Sequence, residues 1–453
     1  MINSKTPERT IFAKRTMVLV IPIMLQALLV NGVTFVDTLM IGQLGEIQIA
    51  AVGVASQLFF LVTMLLYGIS SAGGIFFSQY WGAKDSKYIQ KVLGIIIVFS
   101  VVCCGALSIL STVFPRFVML IFTKDLSVIE SGNSYLRIVG FSYILTGISF
   151  SYAVGLRCTG NAKIPLIVSM IALSVDVIGN YLLIFGIGPF PEMGIAGAAI
   201  STSFSRIIEV LLYIIITNTK KSCPIKFSFK YSLNFDKEFV KKFFKIAFPV
   251  VINDIFWSVG MVCYKIAYSK IGTGALAAVQ VIESINNLFF VSISGLGSAV
   301  AIIIGTKIGE GKEEEAHRYS MFSLKFAMIL GAMIGLLIIL ISPSFVDQFN
   351  ISPDVKKMAT DSLMVIAILQ FIKAFTMVEV VGVLRGAGDA TFSMFLEMFS
   401  IWVIGVPIAF LSALVWHLPL PLIYLMVGSE ELTKLVIGMK RIKSKKYIHN
   451  FVK

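Results

Sequence analysis

The residues of this chain that could do chemistry are carboxyl groups inside long apolar stretches. Asp37 follows Phe35 and Val36, and no lysine or arginine lies within two helical turns of it. Asp176 and Asn180 are four residues apart, so both side chains project from one face if the segment is a helix. Because desolvation disfavours the charged form of a carboxyl group, such groups can take up and release protons, or bind Na⁺ together with neighbouring oxygen atoms.

Other ionisable residues in apolar stretches have a simpler interpretation as structural ion pairs. Arg206 and Glu209 are three residues apart, a spacing at which oppositely charged side chains meet on one helix. Glu430, Glu431 and Lys434 have the same kind of spacing. We expect both groups to pair within their own helices.

The sequence contains no pattern typical of an enzyme active site. Its three histidines are far apart, and its five cysteines are odd in number and lack the spacing of metal ligands. Residues 306–313 resemble a phosphate-binding loop, but Thr306 replaces the first glycine and Glu313 replaces the final Ser or Thr. The sequence therefore predicts no enzymatic activity, no cofactor and no ATP site.

The composition indicates which elements must position these residues. Of 453 residues, 57% are hydrophobic and 14% are charged, against about 45–50% and about 25% in soluble domains. This excludes a soluble enzyme, a disordered chain and a disulfide scaffold. Since a membrane-spanning helix needs about 20 mostly apolar residues, the sequence predicts an all-α polytopic membrane protein. Its twelve predicted spans are 16–42, 49–78, 92–114, 135–157, 164–188, 194–217, 246–269, 276–306, 320–343, 361–385, 391–415 and 419–439.

The basic residues predict the orientation of these helices. The net charge is +13, and the segments on the side of the N-terminus carry roughly five times as many lysines and arginines as the opposite loops. We therefore expect a multi-pass protein of the plasma or inner membrane, with both termini in the cytoplasm. The surplus of positive charge is explained by topology, and no nucleic-acid partner is predicted.

The longest of the inner loops divides the chain. Residues 218–245 contain eight lysines interleaved with Phe and Tyr, which indicates an amphipathic segment lying on anionic lipid headgroups. The predicted domains are a six-helix N-terminal lobe (1–217), this basic cytoplasmic linker (218–245) and a six-helix C-terminal lobe with a basic tail (246–453).

The two halves resemble each other at a spacing of 227 or 228 residues. Pro22 aligns with Pro249, and the run Ala50-Ala51-Val52 aligns with Ala277-Ala278-Val279. Residues 156–162 align in the same way with residues 384–390. Because each half has an even number of helices, both begin on the same side of the membrane. The sequence thus predicts two parallel six-helix repeats, which is typical of transporters.

At this point the sequence resembles a known family, the multidrug and toxic compound extrusion (MATE) family, and within it the NorM-like bacterial branch. The resemblance covers nearly the whole chain. The matching stretches are residues 22–45 with the run FVDT at 35–38, 50–52 (AAV), 78–84 (SQYWGAK), 156–161 (LRCTGN), 191–199 (PEMGIAGAA), 277–280 (AAVQ), 305–309 (GTKIG) and 384–389 (LRGAGD).

The resemblance implies an antiporter that exports cationic amphipathic drugs or metabolites in exchange for H⁺ or Na⁺. It implies two lobes in a V around a central cavity that opens alternately to each side. The family's N-lobe cation site corresponds here to Asp37, Asp176, Asn180 and Thr202, which could bind Na⁺. The implied partners are small cationic organic substrates and membrane lipids, and the protein is expected to be a monomer without ATP.

The second half departs from the NorM-like pattern. Trp257 stands where a Glu is expected, and Ala374 stands where an Asp is expected. Asp254, Glu283 and Glu379 are acids at other positions, where they could hold substrate cations or pair with Lys265 and Lys373. Together with Gln280 they are the predicted substrate-cavity residues. Two alternatives remain open: a lipid-linked sugar flippase of the same superfamily, and a membrane scaffold or receptor that transports nothing.

Overall fold

The structure is a computed structural model that describes residues 6–220, 223–349 and 351–452. For residues 6–15, 229, 230 and 288 it describes the backbone alone. Over the described residues the chain is helical and contains no strand. Part of the predicted basic linker, residues 221 and 222, lies outside the described residues.

The helices follow one another with short connections. They are α1 (Thr6–Gly42), α2 (Glu46–Gly82), α3 (Ser86–Val113), α4 (Pro115–Phe122), α5 (Leu126–Val139), α6 (Ser142–Cys158), α7 (Lys163–Phe185), α8 (Gly194–Thr219), α9 (Phe229–Ser232), α10 (Lys237–Ser269), α11 (Thr273–Gly309), α12 (Glu313–Val346), α13 (Pro353–Met377), α14 (Ala390–Phe399), α15 (Val406–Phe410), α16 (Leu420–Val427) and α17 (Ser429–Lys443). Three π-helical segments extend them: Val378–Arg385 after α13, Ser400–Gly405 after α14, and Leu411–Val415 after α15.

The membrane-spanning pattern agrees with an all-α polytopic fold. Among the described residues, ten helices are long and apolar enough to cross a membrane. The pair α5 and α6 makes an eleventh span if it is counted as one, although it bends by 47° between Val139 and Ser142. The predicted twelfth span, 419–439, is divided at Gly428 into α16 and α17.

The internal repeat is confirmed by the positions of helices and glycines. The helices α2 and α11 both contain 37 residues. Each begins directly after a glycine with a positive φ, Gly45 at 123° and Gly272 at 143°. The aligned glycines Gly160 and Gly388 also have positive φ, 79° and 93°. Because other residues rarely adopt this backbone conformation, the two repeats make the same turns at corresponding positions.

The chain forms two compact units. The first unit is Ile21–Ala247, and the second is Phe248–Lys453 with the beginning of the chain up to Val20. Leu58, Val62 and Leu136 are at most 4% exposed and belong to the core of the first unit. Ile282 and Ile338, both fully buried, belong to the core of the second.

The linker differs in part from the expected lipid-facing segment. Phe239 and Phe243 are buried, and their rings lie 6.1 and 5.3 Å from the ring of Phe76 on α2. Lys91 on α3 forms an ion pair with Asp236 at 2.6 Å. These two aromatic side chains therefore pack inside the first unit rather than into lipid, whereas Tyr231 and Phe244 are exposed. The described lysines of this segment that are exposed, and so could still contact lipid headgroups, are Lys220, Lys237, Lys241 and Lys245.

Candidate functional site

A polar cluster in the first unit joins three helices. The Asn180 side chain on α7 donates a hydrogen bond from Nδ2 to Oδ1 of Asp37 on α1, at 2.8 Å, although 143 residues separate them. Asp176 lies one turn before Asn180 and is 5% exposed. Thr202 on α8 faces the Asp176 carboxyl group. The structure thus brings together all four residues of the predicted cation site.

Close contact between α7 and α8 makes this cluster possible. A methyl group at Gly179 would collide with the side chain of Ser201, so a glycine is needed for the two helices to approach this closely. The Ser201 hydroxyl donates a hydrogen bond to the backbone oxygen of Asp176 at 2.8 Å. The hydroxyl groups of Ser201 and Thr202 thus both lie beside Asp176.

Two oxygen atoms of the cluster have no hydrogen-bond partner. They are Oδ1 of Asp176 and Oδ1 of Asn180, and both atoms are buried. Buried polar atoms are seldom left unpaired in native proteins, and an exception calls for an explanation. A carboxyl oxygen and an amide oxygen without a partner can accept a hydrogen bond or coordinate a small cation.

Arg206 is the basic residue that sequence reasoning did not connect with this site. It lies one helical turn after Thr202 and is close enough to interact electrostatically with both Asp37 and Asp176. Its ion pair with Glu209, at 2.8 Å, confirms the pairing predicted from their spacing. Because Arg206 already forms an ion pair with Glu209, it balances the charges of Asp37 and Asp176 only in part and at longer range.

The second unit contains a different polar network, centred on Arg385. Its Nη1 lies 3.0 Å from Oδ1 of Asp254, and its Nη2 lies 3.1 Å from Oε2 of Glu397. Asn253 also donates a hydrogen bond to Glu397. Asp254 was expected to hold a substrate cation or to pair with Lys265 or Lys373, and its observed partner is Arg385. In the sequence, Arg385 stood out only as part of the run LRGAGD at 384–389. Nothing in the spacing of the residues indicated that it would contact Asp254 on α10.

The four predicted substrate-cavity residues do not form one cluster. Glu283 pairs with Lys265 at 2.9 Å, as expected, and Gln280 is exposed on the same helix. Lys265 lies about three turns of α10 away from Asp254. Glu379 is 0% exposed, and neither of its carboxyl oxygens has a hydrogen-bond partner.

The predicted pairing on the last helix is confirmed and extends to other helices. Lys434 forms ion pairs with Glu430 and, at 3.6 Å, with Glu431. The Tyr264 hydroxyl on α10 donates to Glu430, and the Thr376 hydroxyl on α13 donates to Glu431. Three helices of the second unit are thereby connected by buried polar groups.

Metal-ligating side chains are not grouped in the part of the chain that the structure describes. No set of three or more His, Cys, Asp or Glu residues there has the geometry to hold a metal ion. Cys103, Cys104, Cys158, Cys223 and Cys263 are all free thiols.

Known proteins are similar to this chain in both sequence and fold. The sequence profile of the MatE family matches residues 22–182 and 249–411. The chain belongs to the MatE family. The two matched segments begin at Pro22 and Pro249, the prolines that the internal repeat aligns, so the family pattern occurs once in each repeat. The resemblance to the MATE family is therefore confirmed, and the chain is a membrane transporter rather than an enzyme.

Curated relatives of this MATE protein cover most of its length. It is 26% identical over 434 residues to the "Uncharacterized transporter YisQ" of Bacillus subtilis, covering 94% of this chain and 93% of that protein. It is 25% identical to the "Probable multidrug resistance protein NorM" of Pasteurella multocida, covering 88% of this chain and 86% of that protein.

Solved structures show the same fold. One described as the "Outward-facing conformation of a multidrug resistance MATE family transporter of the MOP superfamily" matches with a TM-score of 0.84 at 18% identity, and covers 96% of both chains. A MOP superfamily transporter from Pyrococcus furiosus, described as having a binding pocket of reverse polarity, matches equally well, with a TM-score of 0.84, 18% identity and 96% of both chains covered. At this identity the likeness concerns the fold alone.

Proposed function

We propose that this protein is a secondary active antiporter that exports cationic amphipathic drugs or metabolites in exchange for H⁺ or Na⁺. The observation that carries the proposal is the hydrogen bond from Asn180 to Asp37, with Asp176 and Thr202 beside it. This arrangement places the acidic group of α1 against the oxygen atoms of α7 and α8. Curated relatives named as probable multidrug resistance proteins support the assignment of the cargo.

The coupling ion would act on the contact between α1 and α7. An ion that binds at Asp37 neutralises its charge and weakens the attraction for the Asn180 amide, because charged acceptors form stronger hydrogen bonds than neutral ones. Na⁺ would in addition draw the unpaired oxygens of Asp176 and Asn180 towards itself. An ion shifts a conformational equilibrium only by its difference in affinity for the two states, and a change in this contact supplies such a difference.

The cargo would be recognised by negative and polar groups that stay accessible. Glu283 and Gln280 lie on neighbouring turns of α11 and are not sealed in the protein interior. The Glu283 side chain is 31% exposed beside Lys265. A cationic substrate could displace Lys265 from this carboxylate. We further propose a monomeric protein of the plasma membrane, with both termini in the cytoplasm.

The test is reconstitution of the purified protein in proteoliposomes, with a proton gradient or a sodium gradient imposed separately. The cargo is a panel of fluorescent cationic dyes, and neutral and anionic dyes of similar size are the controls. We expect one of the two gradients to drive uphill transport of cationic dyes. Transport that follows neither gradient, or that prefers anionic dyes, would contradict the proposal.

A further inference from the structure

Glu379 is the buried acid that the proposed function leaves unexplained. It lies in the π-helical segment Val378–Arg385, inside a membrane-spanning helix, and is 0% exposed. Neither carboxyl oxygen has a hydrogen-bond partner. An ionised carboxylate without a partner in an apolar interior carries a large desolvation penalty. A neutral carboxylic acid avoids most of that cost.

The charges around Glu379 lead to the same conclusion. The ionisable groups that interact with one another around Glu379 are Glu430, Glu431, Lys373 and Lys434, so with Glu379 itself the acids of this cluster outnumber the bases by one. Glu430 and Glu431 have hydrogen bonds or ion pairs, whereas Glu379 has none. One bound proton makes the cluster neutral, and Glu379 is the acid that lacks any other counter-charge.

The space around Glu379 excludes larger ligands. Gly438 on α17 faces the carboxyl group so closely that even a methyl group at that position would overlap it. Oxygen ligands are also lacking, because no donor or acceptor reaches the carboxyl oxygens among the described residues. A carboxyl group of this kind can take a proton, but α17 leaves no room on its side for an organic cation, and a metal ion would find no further oxygen ligand among the described residues.

The internal repeat shows that the acids of the second unit lie at other positions than those of the first. The spacing that aligns Pro22 with Pro249 also aligns Asp37 with Tyr264. The second unit therefore has a phenol where the first has its helix-1 carboxyl group. The Tyr264 hydroxyl contacts Glu430 of the cluster on α17. The acidic groups of the cluster around Glu379 come instead from α17 and from a π-helical segment, a distortion that is frequent at functional sites.

We propose that Glu379 is a proton-binding site of the second unit, occupied in the conformation described here. No acceptor reaches Glu379 among the described residues, so the proton exchanges in a different conformation, with Glu431, whose charge acts on Glu379 and whose side chain is 18% exposed. In the exchange, the O–H bond of Glu379 breaks and the proton is taken up by the Glu431 carboxylate. Glu397 on α14 is held by Arg385, and it lies outside this exchange. The proposal goes beyond the coupling at Asp37 and does not depend on it.

The test is infrared spectroscopy of the purified full-length protein, in the region of the carbonyl stretch of protonated carboxylic acids. We expect Glu379→Gln to remove one such band that the wild-type protein shows. Glu310→Gln is the matched control: burial alone would raise the pKa of Glu310, but hydrogen bonds from Lys307 and Lys312 hold that pKa below its ordinary value. This control should keep every band. Unchanged spectra in Glu379→Gln would overturn the proposal.

Thermal unfolding of the same proteins gives a second, independent measurement. A Glu379 that is protonated in the folded protein releases its proton on unfolding near neutral pH, so we expect the Tm of the wild-type protein to fall more between about pH 5 and about pH 8 than the Tm of Glu379→Gln, which has no such proton to release. The same dependence of Tm on pH in both proteins would overturn the proposal. Neither measurement involves transport, so both outcomes are separate from those for the dye assay.

Discussion

Arg385 neutralises two carboxylates that would otherwise be buried without a counter-charge. Its guanidinium group contacts Asp254 on α10 and Glu397 on α14 at 3.0 and 3.1 Å. The planar fork of an arginine suits two carboxylates better than the single ammonium group of a lysine. This side chain therefore fixes three helical segments of the second unit relative to one another.

We predict that Arg385→Met strongly destabilises the protein. Removal of one partner from a buried ion pair costs about 3–5 kcal/mol, because the remaining charges are left unpaired. The control is Lys265→Met, which breaks a pair whose side chains are 46% and 31% exposed, and for which ~0–1 kcal/mol is expected. Denaturant unfolding in detergent measures both. Equal losses in the two variants would show that the Arg385 network has no special role.

At the residue scale, the sequence predicted pairings within one helix better than pairings between helices. The i,i+3 pair Arg206–Glu209 follows from spacing alone, because 3.6 residues per turn place both side chains on one face. The contact between Asp37 and Asn180 bridges 143 residues, and it was anticipated only through the family resemblance. Arg385–Asp254 was not anticipated, since no local pattern encodes which helices become neighbours.

At the element scale, the linker illustrates how packing changes the interpretation of a composition. Its lysines and aromatics fit a segment on a lipid surface, but several of its apolar side chains are buried in the first unit. Ile225 is fully buried and contacts the region of Gly155 on α6. The backbone of Ser232 lies directly against Gly94 on α3. The linker can approach α3 this closely only because residue 94 is a glycine. The composition of the linker does not reveal this requirement.

We predict that Gly94→Ala releases the linker from α3, because the added methyl group would overlap the backbone of Ser232. Trypsin should then cleave at the linker lysines at least about tenfold faster, which corresponds to a loss of ~1.4 kcal/mol in docking free energy. Gly105→Ala is the matched control on the same helix, since a methyl group there would meet nothing within 4 Å. Cleavage of both variants at the wild-type rate would mean that the linker is not held at this contact.

The sequence predicted which segments are helical, but it did not predict where a helix bends. Hydropathy located the spans that the structure contains, but it gave no sign of the 47° bend between α5 and α6. Both sides of that bend are apolar, so its position depends on packing against neighbouring helices, which a single stretch of sequence does not contain. The division of the last span at Gly428 does follow a change in composition, since α16 is apolar and α17 carries Glu430, Glu431 and Lys434.

At the scale of the whole molecule, duplication accounts for both the fold and its asymmetry. The two matches to the MatE family begin at aligned prolines, and α2 and α11 have the same length and the same glycine at their start. The polar groups, however, differ between the two units. The first has Asp37, Asp176 and Asn180 in one cluster, and the second distributes its acids between the Arg385 network and the group around Glu379. We infer that the duplicated scaffold was retained while its chemistry diverged.

The central claim is that the acid of α1 couples ion binding to export, and replacement of Asp37 by Asn tests it most directly. The amide keeps the size of the side chain but removes the ionisable group. Uphill export of a cationic dye and the accompanying ion flux are measured in proteoliposomes for the wild-type protein and for Asp37→Asn, with Tm confirming that both are folded. The account predicts that the variant folds and binds the dye but loses gradient-driven export and the coupled ion flux. Export by Asp37→Asn at the wild-type rate, with the same ion flux, would contradict it.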